Sequence, residues 1–260
     1  MSDFVITAKN NPKIKEIRAL LASAKERRNT KLFVLEGVRL CCDAVKSGCE
    51  IGSVFYTESC EEKFFDDISE LKSAAAGCFC VSEEIFKSIS DTVTPQGVVC
   101  TVKMPENTFE YREGGKYIAL DTVQNPDNLG AVSRTAEALG IDGLIVSGGC
   151  DIYNPKALRA SMGALLRLPV LVCADLGEEI KKAEALGIPS FAAVPDSTAK
   201  SVTEAYFGAG ALCIIGNEGS GVSKEIIDKC RYSVTIKMRG RAESLNAAAA
   251  ASIIMWELVK

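Results

Sequence analysis

The chain has 260 residues, 47% of them hydrophobic and 25% charged, with a net charge of −4. That hydrophobic content excludes a disordered chain, and the acidic balance argues against a protein that holds nucleic acid by bulk electrostatics. There are eleven cysteines and no histidine; without histidine or any Cys-x-x-Cys the mixed zinc spacings are excluded, and the commonest proton carrier of neutral-pH catalysis is missing.

No metal is therefore expected, and the scattered thiols read as small buried hydrophobes in a reducing compartment. The opening "MSDFVITAKNNPK" lacks an apolar signal core, and no run approaches the ~20 apolar residues of a membrane span, so the expectation is a soluble cytoplasmic protein. Charge is unevenly placed. From Met1 to Arg39 nine basic residues (Lys9, Lys13, Lys15, Arg18, Lys25, Arg27, Arg28, Lys31, Arg39) face four acidic ones, so this segment is +5 and the remainder −9. Such an arm is either a solvated helix face or a surface for a polyanion.

Taken in chain order, "NPKIKEIRALLASAKERRN" predicts one amphipathic basic helix. Asn11 and Pro12 are its start signals, and Ile14, Ile17, Leu20 and Leu21 form its apolar stripe. Strand "LFVLEG", helix "VRLCCDAVKSG", strand "IGSVFYT", a polar helix near 61–76, "CFCVS", helix "SEEIFKSIS" and strand "GVVCTVKM" follow. This alternation predicts a small α/β domain over residues 1–105. The polar, turn-rich stretch "PENTFEYREGG" places a linker at 106–115. From residue 116 to 260 the alternation becomes regular: strand "YIALDTV", helix "LGAVSRTAEAL", strand "GLIVSG", helix "NPKALRASMGALL" and strand "PVLVC". Helix "LGEEIKKAEALG", strands "SFAAV" and "ALCIIG", helix "VSKEIIDKC", strand "SVTIKM" and a final alanine-rich helix complete it. Apolar strands separated by helices predict a mostly parallel sheet covered on both faces, with ligands beyond the strands' carboxyl ends.

Three loops lie at that edge. In the first, "DTVQNPDNLGAVSRT", Asn128 is a candidate helix cap, and Arg134 offers a planar, permanently charged fork for phosphate or carboxylate; a surface ion pair is the competing reading for Arg134. The second, "IIGNEGSGVSKE", is glycine-rich but is not a phosphate loop. Val222 stands where that motif needs lysine, Glu218 brings a negative charge, and Gly216, Gly219 and Gly221 miss the dinucleotide spacing. A close-approaching acidic loop suits a neutral or cationic ligand, the alternative being a tight turn before a capped helix. In the third, "VTIKMRGRAESLNAAAAASII", Ser244 or Asn246 caps the last helix, and the alanines let another backbone approach closely.

Together "NPDNLGAVSRTAEALG", "IIGNEGSGVS" and "IKMRGRAESLNAAAAAS" resemble, in order, the three motifs of the SpoU (TrmH-like) branch of the SPOUT RNA 2'-O-ribose methyltransferases. "NPKIKEIRALLASAKERRNTKLFVLEG" and "SDTVTPQGVVC" resemble the N-terminal substrate-binding domain of members acting on ribosomal RNA, so the likeness spans nearly the whole chain. It implies an α/β fold with a C-terminal SPOUT-type parallel sheet tied in a trefoil knot, and a smaller N-terminal α/β, L30e-like domain. The implied donor is S-adenosylmethionine, without metal. The implied acceptor is a ribose 2'-hydroxyl, most readily in 23S ribosomal RNA, with transfer RNA or a non-catalytic role in ribosome assembly as alternatives. Gly216, Ile236 and Leu245 match the family's cofactor contacts. Arg134 matches its catalytic arginine, with Asn128, Glu218, Ser244 and Asn246 at the other polar motif positions. A homodimer is implied, with RNA rather than DNA or membrane as partner. Lys237 and the alanines after Asn246 depart from the family pattern beside the cofactor loop.

Overall fold

A computed structural model describes residues 4–106 and 109–260. Its first elements are β1 (Phe4–Ile6), α1 (Pro12–Ala22), α2 (Ala24–Thr30), β2 (Leu32–Glu36), α3 (Val38–Lys46), β3 (Ile51–Tyr56), α4 (Glu58–Lys63), α5 (Phe65–Ala74), β4 (Ala75–Val81), α6 (Glu83–Lys87) and β5 (Val98–Lys103). Then come β6 (Tyr117–Asp121), α7 (Pro126–Ala138), β7 (Gly143–Ser147), α8 (Pro155–Ala160), α9 (Ala164–Arg167), β8 (Val170–Cys173), α10 (Leu176–Ala185) and β9 (Ser190–Ala193). The last are β10 (Lys200–Ser201), β11 (Leu212–Ile215), α11 (Lys224–Lys229), β12 (Tyr232–Thr235) and α12 (Ala247–Val259). They form two compact units. One holds the described residues through Glu106 together with Tyr153–Leu166, the other those from Phe109 to Ile152 together with Arg167–Lys260.

In the first unit the described strands form one mixed sheet in the order β1-β4-β3-β5-β2, with β5 antiparallel to both β3 and β2. Ile14, Ile17 and Leu20 of α1 are fully buried against it, each contributing about 1.5–3 kcal/mol of apolar burial. The basic segment is not the single helix its apolar stripe predicts. Ser23 leaves the helical region (φ −131°, ψ 115°), and its hydroxyl accepts the Glu26 N–H at 3.2 Å, ending α1 and starting α2. Arg27, expected off the apolar stripe, is buried instead; its Nη1 donates to the carbonyls of Leu20 at 2.5 Å and Leu21 at 3.3 Å, satisfying the orphan acceptors of α1.

The expected domain 116–260 is interrupted, because residues 153–166 pack with the first unit. Tyr153 stacks on Phe33 at 4.6 Å, Leu158 is buried in the cluster of Phe33 and Leu40, and Arg159 donates to Asp91 at 2.6 Å. Of the expected linker 106–115, residues 107 and 108 lie outside the described residues. The rest folds with the second unit: Phe109, Tyr111 and Tyr117 contact one another edge-on or tilted, and the Tyr117 hydroxyl accepts the Arg112 N–H at 2.7 Å.

The second unit's sheet runs β10-β12-β9-β11-β6-β7-β8, and every pairing among its described strands is parallel. Its central strands β6 and β11 are buried at every residue, as a sheet covered on both faces requires. After β8 at one edge the chain returns across the sheet to β9 beside β11. That reversal creates a switch point, where loops diverge and leave a crevice at the carboxyl edge.

Candidate active site

The loops after β9, β11 and β12 enclose a cavity of about 670 Å³ at this edge. Gly216, Ile236 and Leu245 line it, as do Glu218 and Ser244 of the polar set. Asn128 and Asn246 stand behind its wall and join the loops. Arg134 is not in the lining; it is exposed on α7 and has no hydrogen bond or ion pair among the described residues.

Glu218 is the hub. Its Oε1 accepts the Asn128 Nδ2 at 2.8 Å and the Asn125 N–H at 3.0 Å, and its Oε2 accepts the Gln124 N–H at 3.1 Å. Desolvation pushes this carboxyl upward, but the bonds from Asn128, Asn125 and Gln124 outweigh it and hold the group below its usual range, so it is ionised at neutral pH. The Asn128 Oδ1 accepts the Asn246 Nδ2 at 2.9 Å, and the Asn246 Oδ1 accepts the N–H groups of Ala248 and Ala249, capping α12. One chain of bonds therefore connects all three loops. Asn246, not Ser244, caps the last helix. On α7 the cap is Asn125, whose Oδ1 accepts the Asp127 N–H at 2.9 Å, and not Asn128, which is buried and bridges the loops.

The cavity's geometry depends on close backbone approach. A Cβ on Gly216 would lie 2.0 Å from backbone atoms of Gly221 and Val222, so any side chain there would force the loop apart. Asn217, which the sequence does not single out by function, staples that loop. Its backbone exchanges bonds with Gly221, its Oδ1 accepts the Gly219 and Ser220 N–H groups, and its Nδ2 donates to the Thr122 carbonyl at 2.9 Å. Thr122 adopts the left-handed region at φ 57°, a strain of about 1–2 kcal/mol held by its neighbours. Asp121 at the end of β6 accepts the Ser223 N–H at 2.9 Å, fixing the start of α11. The available signals were the Asn-Pro pair at Asn125 and, at Asn217, an asparagine in the turn-forming run Gly-Asn-Glu-Gly.

The alanine run has two uses. Ala247, Ala248 and Ala251 are buried where α12 packs against α7 and β11, and the Thr135 and Ser252 hydroxyls meet at 3.3 Å. Ala247 and Ala250 line the cavity, where small side chains leave its volume open. The departing residue Lys237 lies at the rim and pairs with Glu204 at 3.3 Å.

A doubly wound parallel sheet with a cavity at its carboxyl edge, two of whose loops are bonded to the loop after β6, defines a ligand-binding α/β domain. Its residues 115–256 match the SpoU rRNA Methylase family, and residues 11–100 match the MRM3-like substrate binding domain. The chain belongs to the SpoU rRNA methylase family. It is similar to 23S rRNA (guanosine(2553)-2'-O)-methyltransferase RlmP of Bacillus subtilis, 31% identical over 254 residues, spanning 97% of this chain and 98% of the relative. The 23S rRNA (uridine(2479)-2'-O)-methyltransferase of Streptomyces viridochromogenes is 31% identical over 260 residues, spanning 96% and 90%. The crystal structure of the SpoU methyltransferase AviRb from Streptomyces viridochromogenes in complex with AdoMet aligns with a TM-score of 0.86 at 30% identity, over 96% of this chain and 97% of the other. An AdoMet-bound rRNA methyltransferase from Sinorhizobium meliloti gives 0.84 at 30% identity, over 98% and 96%. No helix among the described residues is long and apolar enough to cross a membrane.

Proposed function

We propose that this protein transfers a methyl group from S-adenosylmethionine to a ribose 2'-hydroxyl of ribosomal RNA, with 23S ribosomal RNA as substrate, in the cytoplasm. The observation that carries the proposal is the cavity into which the loops after β11 and β12, both bonded to the loop after β6, bring Gly216, Ile236 and Leu245, in a chain of the SpoU family. Its near full-length relatives are named as 23S rRNA 2'-O-methyltransferases.

The cavity suits the donor. Its walls are backbone at Gly216 and apolar side chains at Ile236 and Leu245, and the carboxylates it contains, Glu218 and Glu243, favour a cation over a nucleoside triphosphate. When bound, S-adenosylmethionine supplies an electrophilic methyl group on a sulfonium. The residues of the chain then have to place the 2'-oxygen in line and keep water out. Arg134, exposed and without a partner among the described residues, would hold the phosphate beside the reacting ribose. A guanidinium gives up its proton too reluctantly to be a good base, so its role is positioning and neutralisation. Asn128, Glu218 and Asn246 keep the loops in register, and Ser244, at the cavity wall, orients the ribose.

The same reading assigns the rest of the chain. The domain at residues 1–105 grips RNA through the exposed basic residues that have no ion-pair partner among the described residues, Lys15, Lys25, Arg28, Lys31 and Arg39. The loops at 193–197 and 236–246 form the trefoil knot around the cofactor. A homodimer forms through α12, whose Ala249, Ile253 and Trp256 share one exposed face. The test is transfer of labelled methyl from S-adenosylmethionine to ribosomal and transfer RNA, followed by alkaline hydrolysis. Label in alkali-resistant dinucleotides from ribosomal RNA is expected; label confined to transfer RNA, or none despite cofactor binding, overturns the substrate or the reaction respectively.

A further inference from the structure

A second groove lies at the opposite side of β12 from the sheet centre. β10 has two residues and pairs with Val234 and Thr235, so among the described residues Tyr232 and Ser233 pair with β9 alone and leave half a strand edge bare. Beside that edge is a groove of about 270 Å³ bordered by Phe191, Lys200, Tyr206 and Tyr232. Tyr206 is 85% exposed; its ring meets no other aromatic ring, and its hydroxyl has no hydrogen-bond partner among the described residues. Tyr232 packs against Phe191 at 5.1 Å, with the Arg231 guanidinium over its ring at 5.5 Å. Neither Lys200 nor Arg231 has a carboxylate partner among the described residues. The nearby acid Glu204 is paired with Lys237.

We propose that this groove is a stacking site for a single-stranded RNA nucleotide flanking the one that is methylated, with Tyr206 as the platform and Lys200 and Arg231 as phosphate contacts. The proposal rests on the RNA-methyltransferase reading and extends its substrate contacts to a surface outside the cofactor cavity. Exposed aromatic rings interleaved with free cations are how proteins hold single strands, since every base offers a flat face and every linkage a negative charge. The groove is smaller than the ~300–1,000 Å³ of small-molecule sites, which fits one flat base with its backbone outside. It also adjoins the cavity. Val234 borders both, and the Lys237–Glu204 pair runs from the cavity rim to a residue two positions before Tyr206.

The test uses the full-length protein and a single-stranded RNA octamer carrying 5-iodouridine. Irradiation is expected to join the octamer to the peptide containing Tyr206. Tyr206→Ala should weaken octamer binding roughly tenfold, as for one lost base stack, while Tyr206→Phe keeps it. Lys200→Ala with Arg231→Ala should flatten the salt dependence by roughly two charges. S-adenosylmethionine affinity should not change in any variant. Octamer affinity within twofold of wild type for Tyr206→Ala, in a protein that methylates ribosomal RNA, overturns the groove and leaves the activity standing. Cross-linking at Tyr206 without any methyl transfer supports the groove and overturns the catalytic reading instead. Loss of a dimer on Tyr206→Ala, by sedimentation, assigns the face to a second copy and also overturns the proposal.

Discussion

Arg27 in the first unit and Arg134 in the second both sit on helices, yet the structure uses them in opposite ways. Arg27 is buried and closes the carbonyl end of α1, whereas Arg134 is exposed and has no partner among the described residues. Other basic residues of the first unit are likewise committed to partners. Arg18 donates to the Ser88 carbonyl and hydroxyl, Lys13 pairs with Glu16 and Lys9 with Glu84. A count of basic residues therefore overstates the surface available to a polyanion, and partner-free cations are the better guide to it.

That contrast can be broken most directly at Arg134. Arg134→Ala should lower methyl transfer on the order of 10²-fold or more while leaving cofactor affinity and the melting temperature unchanged; activity within a few-fold of wild type would remove Arg134 from the site. Arg27→Ala should do the reverse. Leaving the Leu20 and Leu21 carbonyls without their charged donor should cost about 2–4 kcal/mol in denaturant unfolding, with methyl transfer unchanged under conditions where the variant is folded. The double change Lys25→Glu and Arg28→Glu, on exposed α2 residues, should weaken RNA binding roughly tenfold at low salt and reduce its salt slope without destabilising the fold. Deleting residues 1–30 would not test the same point, because it also removes Ile14, Ile17 and Leu20 from the core.

The smallest expected effect is at Glu218. Its folded carboxyl lies below the ordinary 4.5, so the stability it contributes is complete above about that pH and is lost as pH falls through the folded value. Glu218→Gln should be slightly less stable than wild type in thermal melts near pH 7, with the gap closing below about pH 4.5. A gap independent of pH would mean that the hydrogen bonds and not the charge matter. The side chain is exposed, so the effect should be under ~1 kcal/mol.

The second unit was legible because its signals are local. Apart from β10, each strand is a short, largely apolar run, each helix begins at an Asn-Pro or a small polar residue, and the three motif loops fall at strand ends. The first unit and the excursion at 153–166 were less so, because tertiary packing decided them. Nothing in the stripe of Ile14, Ile17 and Leu20 announces the break at Ser23, and the burial of Arg27 depends on that break. In "NPKALRASMGALL" the chain turns at Met162 and Gly163, both left-handed, and splits α8 from α9 where one helix was expected. β1 was missed because it is three residues long, with Phe4 and Val5 exposed, and β10 because it is two. At the site, the residue types and loops were readable, but which asparagine capped and which bridged depended on contacts some 90 to 120 positions apart, such as Asn128 with Glu218 and with Asn246.

The exposed face of α12 carries Trp256, the chain's sole tryptophan and 58% accessible. The molecule thus has a built-in optical reporter at the face through which two copies are proposed to join. Its emission should be red-shifted and readily quenched by iodide when the chain is alone, and blue-shifted and shielded once that face is covered. Assembly can then be followed in unlabelled protein, independently of any turnover.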